Sequence, residues 1–471
     1  METKKRNINF NVLDSQGIQQ IHEKSLELLS DVGMRISGEK MLSALAAYGC
    51  DVDGEMVKIP EAIVQKALGT IPKELTLYNR DGSESMVIDS RNNVYFGTHS
   101  DQLEYLDYKT NTARIFNKAD IKTMCTIADA LKNISFVLSV GMCGDVDPAV
   151  QSQVTFLETV KNFNKTINFS TNDIESLQEI IDIAAVVAGG HDKLAEKPFI
   201  FNYCEPIPPL THPIESTEKL RISAENMIPV VYMPYCMMGG TAPITIAGAL
   251  VQNNAEILTG VVMTQAIKPG APMIYGSMPT VFDMKTTVGS YAAPEFHLSV
   301  AAASEMCDYY HLPFFGTAGC SDAKTVDPQS VAEVQMELFS TLLSKANIVH
   351  DIGVLDHCNS VAPAMVVLAN EMIDQLEAYT KGVVVSEETM AMDVIKQVGH
   401  GGHYLNEMHT LSNFKSVWYP KFFNRPMVNA DESTIMDEVI AKIDDILDNH
   451  VVAPLDAAIL QQLNTIEEKY N

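Results

Sequence analysis

Residues 313–322 read Pro313-Phe314-Phe315-Gly316-Thr317-Ala318-Gly319-Cys320-Ser321-Asp322. The run Phe314–Ala318 is short, apolar and free of charge, and it is followed by a longer stretch with helical spacing, which is how a strand buried on both faces reads. Seven further runs share this form: Val94–Gly97, Ile134–Val140, Thr166–Ser170, Phe199–Tyr203, Val230–Tyr235, Met273–Gly276 and Ile348–Gly353. Each is separated from the next by a helical pattern. Eight such units in succession predict an α/β chain folded as a TIM (β/α)8 barrel, a closed arrangement that fits eight repeats better than an open doubly wound sheet does.

Outward from the barrel, the pattern changes at both ends. Residues 14–33 carry an apolar stripe (Ile18, Ile21, Leu28, Val32) behind the capping pair Asp14 and Ser15, and Gly33 stops it. Lys40–Tyr48 and Pro60–Leu68 read as two more helices, so residues 1–90 are expected to form an N-terminal helical cap. The catalytic barrel is assigned to 91–425. Residues 426–471 hold two C-terminal helices, Thr434–Leu447 and Pro454–Leu463, that pack outside it.

The 471-residue chain is 46% hydrophobic and 20% charged, a globular mixture, with a formal net charge of −27. That charge repels phosphate backbones and anionic lipid, so neither nucleic acid nor membrane is expected as a partner, whereas a cationic small molecule is attracted. No secretory pattern opens the sequence and no apolar stretch is long enough to span a bilayer. Eight scattered cysteines without a CxxC pair suit reduced thiols, and a cytoplasmic location is expected.

In a barrel of this kind the chemistry lies at the C-terminal ends of the strands. Those ends carry Tyr95-Phe96-Gly97-Thr98-His99-Ser100-Asp101, Tyr275-Gly276-Ser277 and Phe315–Asp322. Rings beside glycines are able to form a box for a trimethylammonium group, each ring contributing roughly 0.5–2 kcal/mol of cation–π attraction. Ordinary barrel core is the competing reading of each ring. The stretch Gly316–Lys324 offers glycine amides, hydroxyls and a lysine to a substrate carboxylate, although it lacks the spacing of a P-loop or a dinucleotide fingerprint. His350-Asp351 ends the eighth run, where an imidazole can orient a substrate or move a proton or else be structural. His400, His403 and His409 suggest zinc by spacing, but HxxH on a glycine-broken loop is not the helical pair of metalloproteases, and no bound metal is expected. There is no GxSxG elbow.

Tyr95-Phe-Gly-Thr98 with Ser100 and Asp101, Gly316-Thr-Ala-Gly319 with Ser321, Asp322 and Lys324, and Gly401-Gly-His403 through His409-Thr410 to Trp418, Pro420 and Arg425 together resemble the trimethylamine methyltransferase family of corrinoid-dependent enzymes. The resemblance runs over nearly the whole chain. It departs from the family pattern at His400, where proline is expected, and at Lys415, where arginine is expected. It implies a barrel whose mouth faces a corrinoid (cobalamin) carried by a separate corrinoid protein. Family members acting on trimethylamine carry pyrrolysine, whereas this chain has standard residues throughout, which places the resemblance with the branch acting on quaternary amines such as glycine betaine, proline betaine and carnitine.

The chemistry of that substrate class agrees. A quaternary nitrogen leaves as a neutral tertiary amine, so neither a general acid nor a Lewis-acid metal is required. The expected site therefore has Tyr95, Phe96, Tyr275 and Phe315 around the cation, Gly97, Thr98 and His350 completing the substrate pocket, His350 as the candidate catalytic residue, and Gly316, Gly319, Ser321 and Asp322 facing the corrinoid. A homo-oligomer is expected. Two alternatives stay open: a zinc-dependent thiol or alcohol methyltransferase using His357, Cys358, His400 and His403, and a non-catalytic betaine-binding protein.

Overall fold

The computed structural model describes residues 8, 10–88, 93–423, 425 and 434–470. Eight strands form its centre: β1 (Tyr95–Thr98), β2 (Ile134–Leu138), β3 (Thr166–Phe169), β4 (Ile200–Cys204), β5 (Val230–Tyr232), β6 (Met273–Gly276), β7 (Phe314–Thr317) and β8 (Ile348–Ile352). Each pairs in parallel with the next, and β8 pairs with β1, so the sheet closes. All eight coincide with the runs read from the sequence. The helices that follow them are α1 (Lys118–Ala130), α2 (Gln151–Asn162), α3 (Ile174–Ala188), α4 (Ile214–Glu225), α5 (Ile246–Ile267), α6 (Pro294–Tyr310), α7 (Pro328–Ser344) and α8 (Pro363–Thr380).

Local chemistry sets the ends of these helices. Asp173 caps α3 by accepting from the Ser176 N–H, and Gly189 closes it in the left-handed region at φ 83°. Asp327 caps α7 through Ser330, with Pro328 in the first turn where no N–H is needed. Every residue of β3, β6, β7 and β8 is buried, because one face of each strand fills the barrel and the other meets the helices.

Three N-terminal helices, Ser15–Glu27 (continued as a wider turn to Val32), Glu39–Tyr48 and Glu61–Thr70, pack on α5. Between and after them lie strands the sequence reading did not include: Met34–Ile36, Asp51–Asp53 and Met56–Lys58 form a sheet with Thr211–His212, and Leu75–Tyr78 pairs with Glu84–Ile88. The three-residue strands are too short to show a period of two, whereas Leu75–Tyr78 and Glu84–Ile88 do alternate buried with less buried residues. The boundaries expected at 90/91 and 425/426 touch residues 89–92 and 426–433, which lie outside the described residues. Ile435–Asn449 packs on α8 and α1, and Ala457–Glu467 packs on α3 and α2. From 381 to 419 the chain forms only short helical pieces, and none of these residues is buried. Among the described residues, no helix is long and apolar enough to cross a membrane.

Two small sheets rim the C-terminal end of the barrel. One joins Met237–Met238, Thr280–Asp283 and Val288–Ser290, and the other joins Glu104–Leu106, Ala113–Ile115, Val354–Leu355 and Ser360–Val361. They come from the segments that follow β5, β6, β1 and β8, and so they build up the mouth.

Candidate active site

The rings of Phe136, Phe201 and Phe315 lie 5.5 to 6.2 Å apart, and they come from β2, β4 and β7, none of which neighbours another in the sheet. Rings from non-adjacent strands can meet only across the lumen, so these three plug it. Gly97 on β1 leaves room for them: a Cβ there would sit 2.4 Å from the Phe136 ring. At the C-terminal side of the plug, Tyr203 lies 6.0 Å and His350 lies 4.7 Å from Phe315, and the two are 5.9 Å apart. Together the phenol, the phenyl and the imidazole make a packed aromatic corner, of which Tyr203 reaches the cleft while Phe315 and His350 are buried behind it.

His350 is held on three sides. Its Nδ1 is 2.8 Å from the Gly316 carbonyl and 3.0 Å from the Thr317 hydroxyl, and its Nε2 is 3.2 Å from the Asp351 carboxylate. Thr317 also donates to Asp351 across 2.9 Å. Asp351 has a φ of 77°, uncommon for a residue with a side chain, at the point where the β8–β1 register shifts.

The wall above the corner is acidic. Tyr203 donates to Glu205, and Ser170 donates to Asp101. Burial pushes the Glu205 carboxyl up to about 7, the Tyr203 hydrogen bond acting against it and the nearby Asp101 and Asp351 acting with it. Burial likewise raises Asp101. Both carboxylates are exposed to water in the cleft while protein encloses them on their other sides. That cleft, of about 410 Å3, is lined by Asp101, Tyr203, Glu205 and Lys219. Lys219 donates to the Thr171 carbonyl and is the cation that acts on both acids. Tyr235 and Tyr291, hydroxyl to hydroxyl at 3.1 Å, stand near Cys358, whose thiol is pushed up to about 12 by burial.

Of the residues expected from the sequence, Phe315 and His350 come together here, with Gly97 below them beside Phe136. The other four do not join them. Tyr95 begins β1 at the far end of the barrel, where its hydroxyl bonds the Val87 N–H and carbonyl at 3.1 and 3.2 Å. Phe96 and Thr98 alternate with Gly97 and so face the helices; the Thr98 hydroxyl pairs with His99. Tyr275 also points outward, donating to Asn254 of α5 at 2.9 Å and stacking on Tyr310 of α6. The reading treated each strand end as a block, whereas alternation allows only every second residue into the lumen.

The turn expected to face the corrinoid is turned inward and internally bonded. A Cβ on Gly316 would meet Phe314 and Val300, on the helix side of the sheet. The N–H groups of Gly319 and Cys320 both bond Glu337, while the Ser321 hydroxyl and Asp322 N–H bond Glu333. The amides thought available for a substrate carboxylate are thus taken. Gly319 and Ser321 are buried, and the Asp322 carboxylate is occupied by Ser290, the Tyr291 N–H and His357. His400 and His403 lie on the exposed 381–419 segment, and among the described residues no group of three or more His, Cys, Asp or Glu side chains converges as a metal site.

Sequence reasoning missed Phe136, Phe201, Tyr203, Glu205 and Lys219. Parity offered a signal for two of them, since Tyr203 and Glu205 are two apart at the end of β4. Nothing in the sequence pointed to Lys219, which sits within α4.

A closed parallel barrel with an aromatic floor and an acidic mouth at its C-terminal end defines a (β/α)8 enzyme. The sequence matches the trimethylamine methyltransferase (MTTB) family over residues 1–469, and the chain belongs to that family of methyltransferases. It is 30% identical to the trimethylamine methyltransferase MttB of Desulfitobacterium hafniense (strain DSM 10664 / DCB-2), covering 95% of this chain and 92% of that one. It is also 30% identical to the glycine betaine methyltransferase of Desulfitobacterium hafniense (strain Y51), over 96% and 95% of the two chains. The trimethylamine methyltransferase MttB of Methanosarcina barkeri (strain Fusaro / DSM 804) is again 30% identical, with 98% and 95% covered. Among solved structures, the Methanosarcina barkeri monomethylamine methyltransferase aligns over 95% of this chain and 96% of its own, with 13% identity and a TM-score of 0.49.

Proposed function

We propose that the chain transfers a methyl group from a betaine-type quaternary amine to a corrinoid carried by a partner protein. The observation that carries this reading is the ring of Tyr203, backed by the buried rings of Phe315 and His350, in one cleft with the carboxylates of Asp101 and Glu205. Ring faces and carboxylates both attract a cation without demanding an N–H from it, which suits a trimethylammonium head. Lys219, in the same cleft, is placed to meet a substrate carboxylate. That division of labour replaces the one expected from the turn at Gly316.

The partner's Co(I) corrinoid supplies the electron pair that takes the methyl group. The carbon–nitrogen bond breaks with its pair left on nitrogen, so a neutral tertiary amine departs and no proton is required. The chain's own residues bind and align. Phe136, Phe201 and Phe315 close the lumen below the head group and exclude water there, while His350 is fixed by Gly316, Thr317 and Asp351 so that its ring forms a rigid wall. Alignment of this kind supplies several kcal/mol of the barrier. Because positive charge leaves nitrogen during transfer, the wall gains by holding the head in place rather than by holding the charge tightly.

Glu205, pushed up to about 7, favours one further reading, in which it governs the proton of a tertiary ammonium substrate. Calorimetry distinguishes the two. Under the betaine reading, glycine betaine, proline betaine or carnitine binds more tightly than trimethylamine or tetramethylammonium, and Lys219→Ala removes the preference over tetramethylammonium. Tightest binding of trimethylamine would support the tertiary-amine reading instead.

A further inference from the structure

Residues 381–419 leave the end of α8 and return at Lys421 and Phe422, whose N–H groups bond Glu371 in the middle of the same helix. Both ends of this arm are therefore anchored. None of its residues is buried, and among the described residues the hydrogen bonds of its side chains stay within it, apart from the Arg425 guanidinium on the Trp418 carbonyl. It is nevertheless rich in apolar side chains. Val383, Val384, Val385, Leu405, Met408 and Val417 are 65% to 84% exposed, and seven more large apolar residues of the arm are also exposed. Soluble single chains rarely show an apolar patch above a few hundred Å2. Side chains of this size and exposure present on the order of 1,000 Å2, more than the ~800 Å2 each partner contributes to a standard interface.

We infer that the arm is an exchange arm that lies on a second copy of this chain. Position and chemistry select that occupant. The helices run antiparallel to the strands, so the end of α8 at Thr380 lies at the barrel end opposite the mouth, and the arm starts on the side a methyl-accepting partner does not need to reach. Such a partner must also leave after each turnover, whereas two mutually exchanged arms of this apolar area together reach the size of a permanent interface between subunits. Beside the root of the arm, the α7–α8 face carries Met336 and Tyr379, 53% and 60% exposed, with Phe339 against Tyr379 at 5.4 Å. This face receives the arm of the second copy, and symmetry makes the exchange mutual and closed.

Light scattering on the purified full chain is expected to give at least twice the single-chain mass of 51.8 kDa. Val384→Glu, Leu405→Glu and Val417→Glu together are expected to reduce it to one chain with unchanged circular dichroism, since none of the three reaches the core. Cross-linking a mixture of isotopically light and heavy chains tests the native sequence without substitutions. Links from Lys396 or Lys415 on the arm are expected to join light to heavy chains. A wild-type mass of one chain, a folded triple variant that keeps the wild-type mass, or arm links confined to single chains would each overturn the inference. A single chain that shields its arm only when a corrinoid protein is added would assign the surface to that partner and overturn it too.

Discussion

The Tyr203 hydroxyl donates a 2.5 Å hydrogen bond to the Glu205 carboxylate, joining the aromatic floor of the mouth to its acidic wall. Burial raises Glu205 to about 7, so its charge changes near neutral pH. Ionised Glu205 attracts a cationic head group and the protonated acid does not. Substrate affinity should therefore strengthen as pH rises through 7, and weaken by up to about tenfold per unit below it if only the ionised form binds. Calorimetric titration between pH 6 and 8 measures this, and Glu205→Gln should flatten the profile at weak affinity. A wild-type affinity independent of pH would remove Glu205 from the site.

Two tyrosines separate binding from stability. Tyr203→Ala removes a wall of the aromatic corner and should raise KM about tenfold, equivalent to ~1.4 kcal/mol within the cation–π range. Tyr95→Phe deletes the bonds to Val87 at the far end of the barrel, so it should cost about 0.5–1.5 kcal/mol of stability and leave KM unchanged. Kinetics and denaturation of the two variants check the pair. A KM effect from Tyr95→Phe as large as that from Tyr203→Ala would contradict the placement of both.

These assignments show how much the sequence disclosed. The eight strands were legible because a strand buried on both faces is apolar throughout, and Phe314–Thr317 or Ile348–Ile352 needs no partner to be recognised. That same uniformity hid which residues face the lumen. Tyr275 and Phe315 look alike in sequence, yet one bonds Asn254 outside the barrel and the other packs against His350 within it. Lys219 and Asp101 lie far apart in the chain, and only closure of the barrel brings them to one cleft.

Glu337 holds the turn after β7 by accepting from the Gly319 and Cys320 N–H groups, and burial raises its carboxyl well above the usual range. Glu337→Ala leaves two buried donors without an acceptor and should cost about 2–5 kcal/mol, read as a lower denaturation midpoint. Glu337→Gln keeps an acceptor and should lose less. A raised carboxyl stabilises the fold below its unfolded pKa, and that contribution is lost as pH rises through the folded value. The Gln variant should therefore gain on wild type as pH increases. Equal losses in Ala and Gln at all pH values would mean that the turn is held by other contacts.

The central claim is transfer of a methyl group from a quaternary amine, and turnover tests it most directly. The purified chain is incubated with Co(I) cobalamin and, in separate reactions, glycine betaine, proline betaine, carnitine and trimethylamine, and demethylated amine is measured by mass spectrometry alongside the cobalamin spectrum. The predicted result is stoichiometric demethylation of at least one betaine with matching methylation of cobalamin, and none with trimethylamine. Demethylation of trimethylamine alone, or of no amine while betaine still binds, would contradict it.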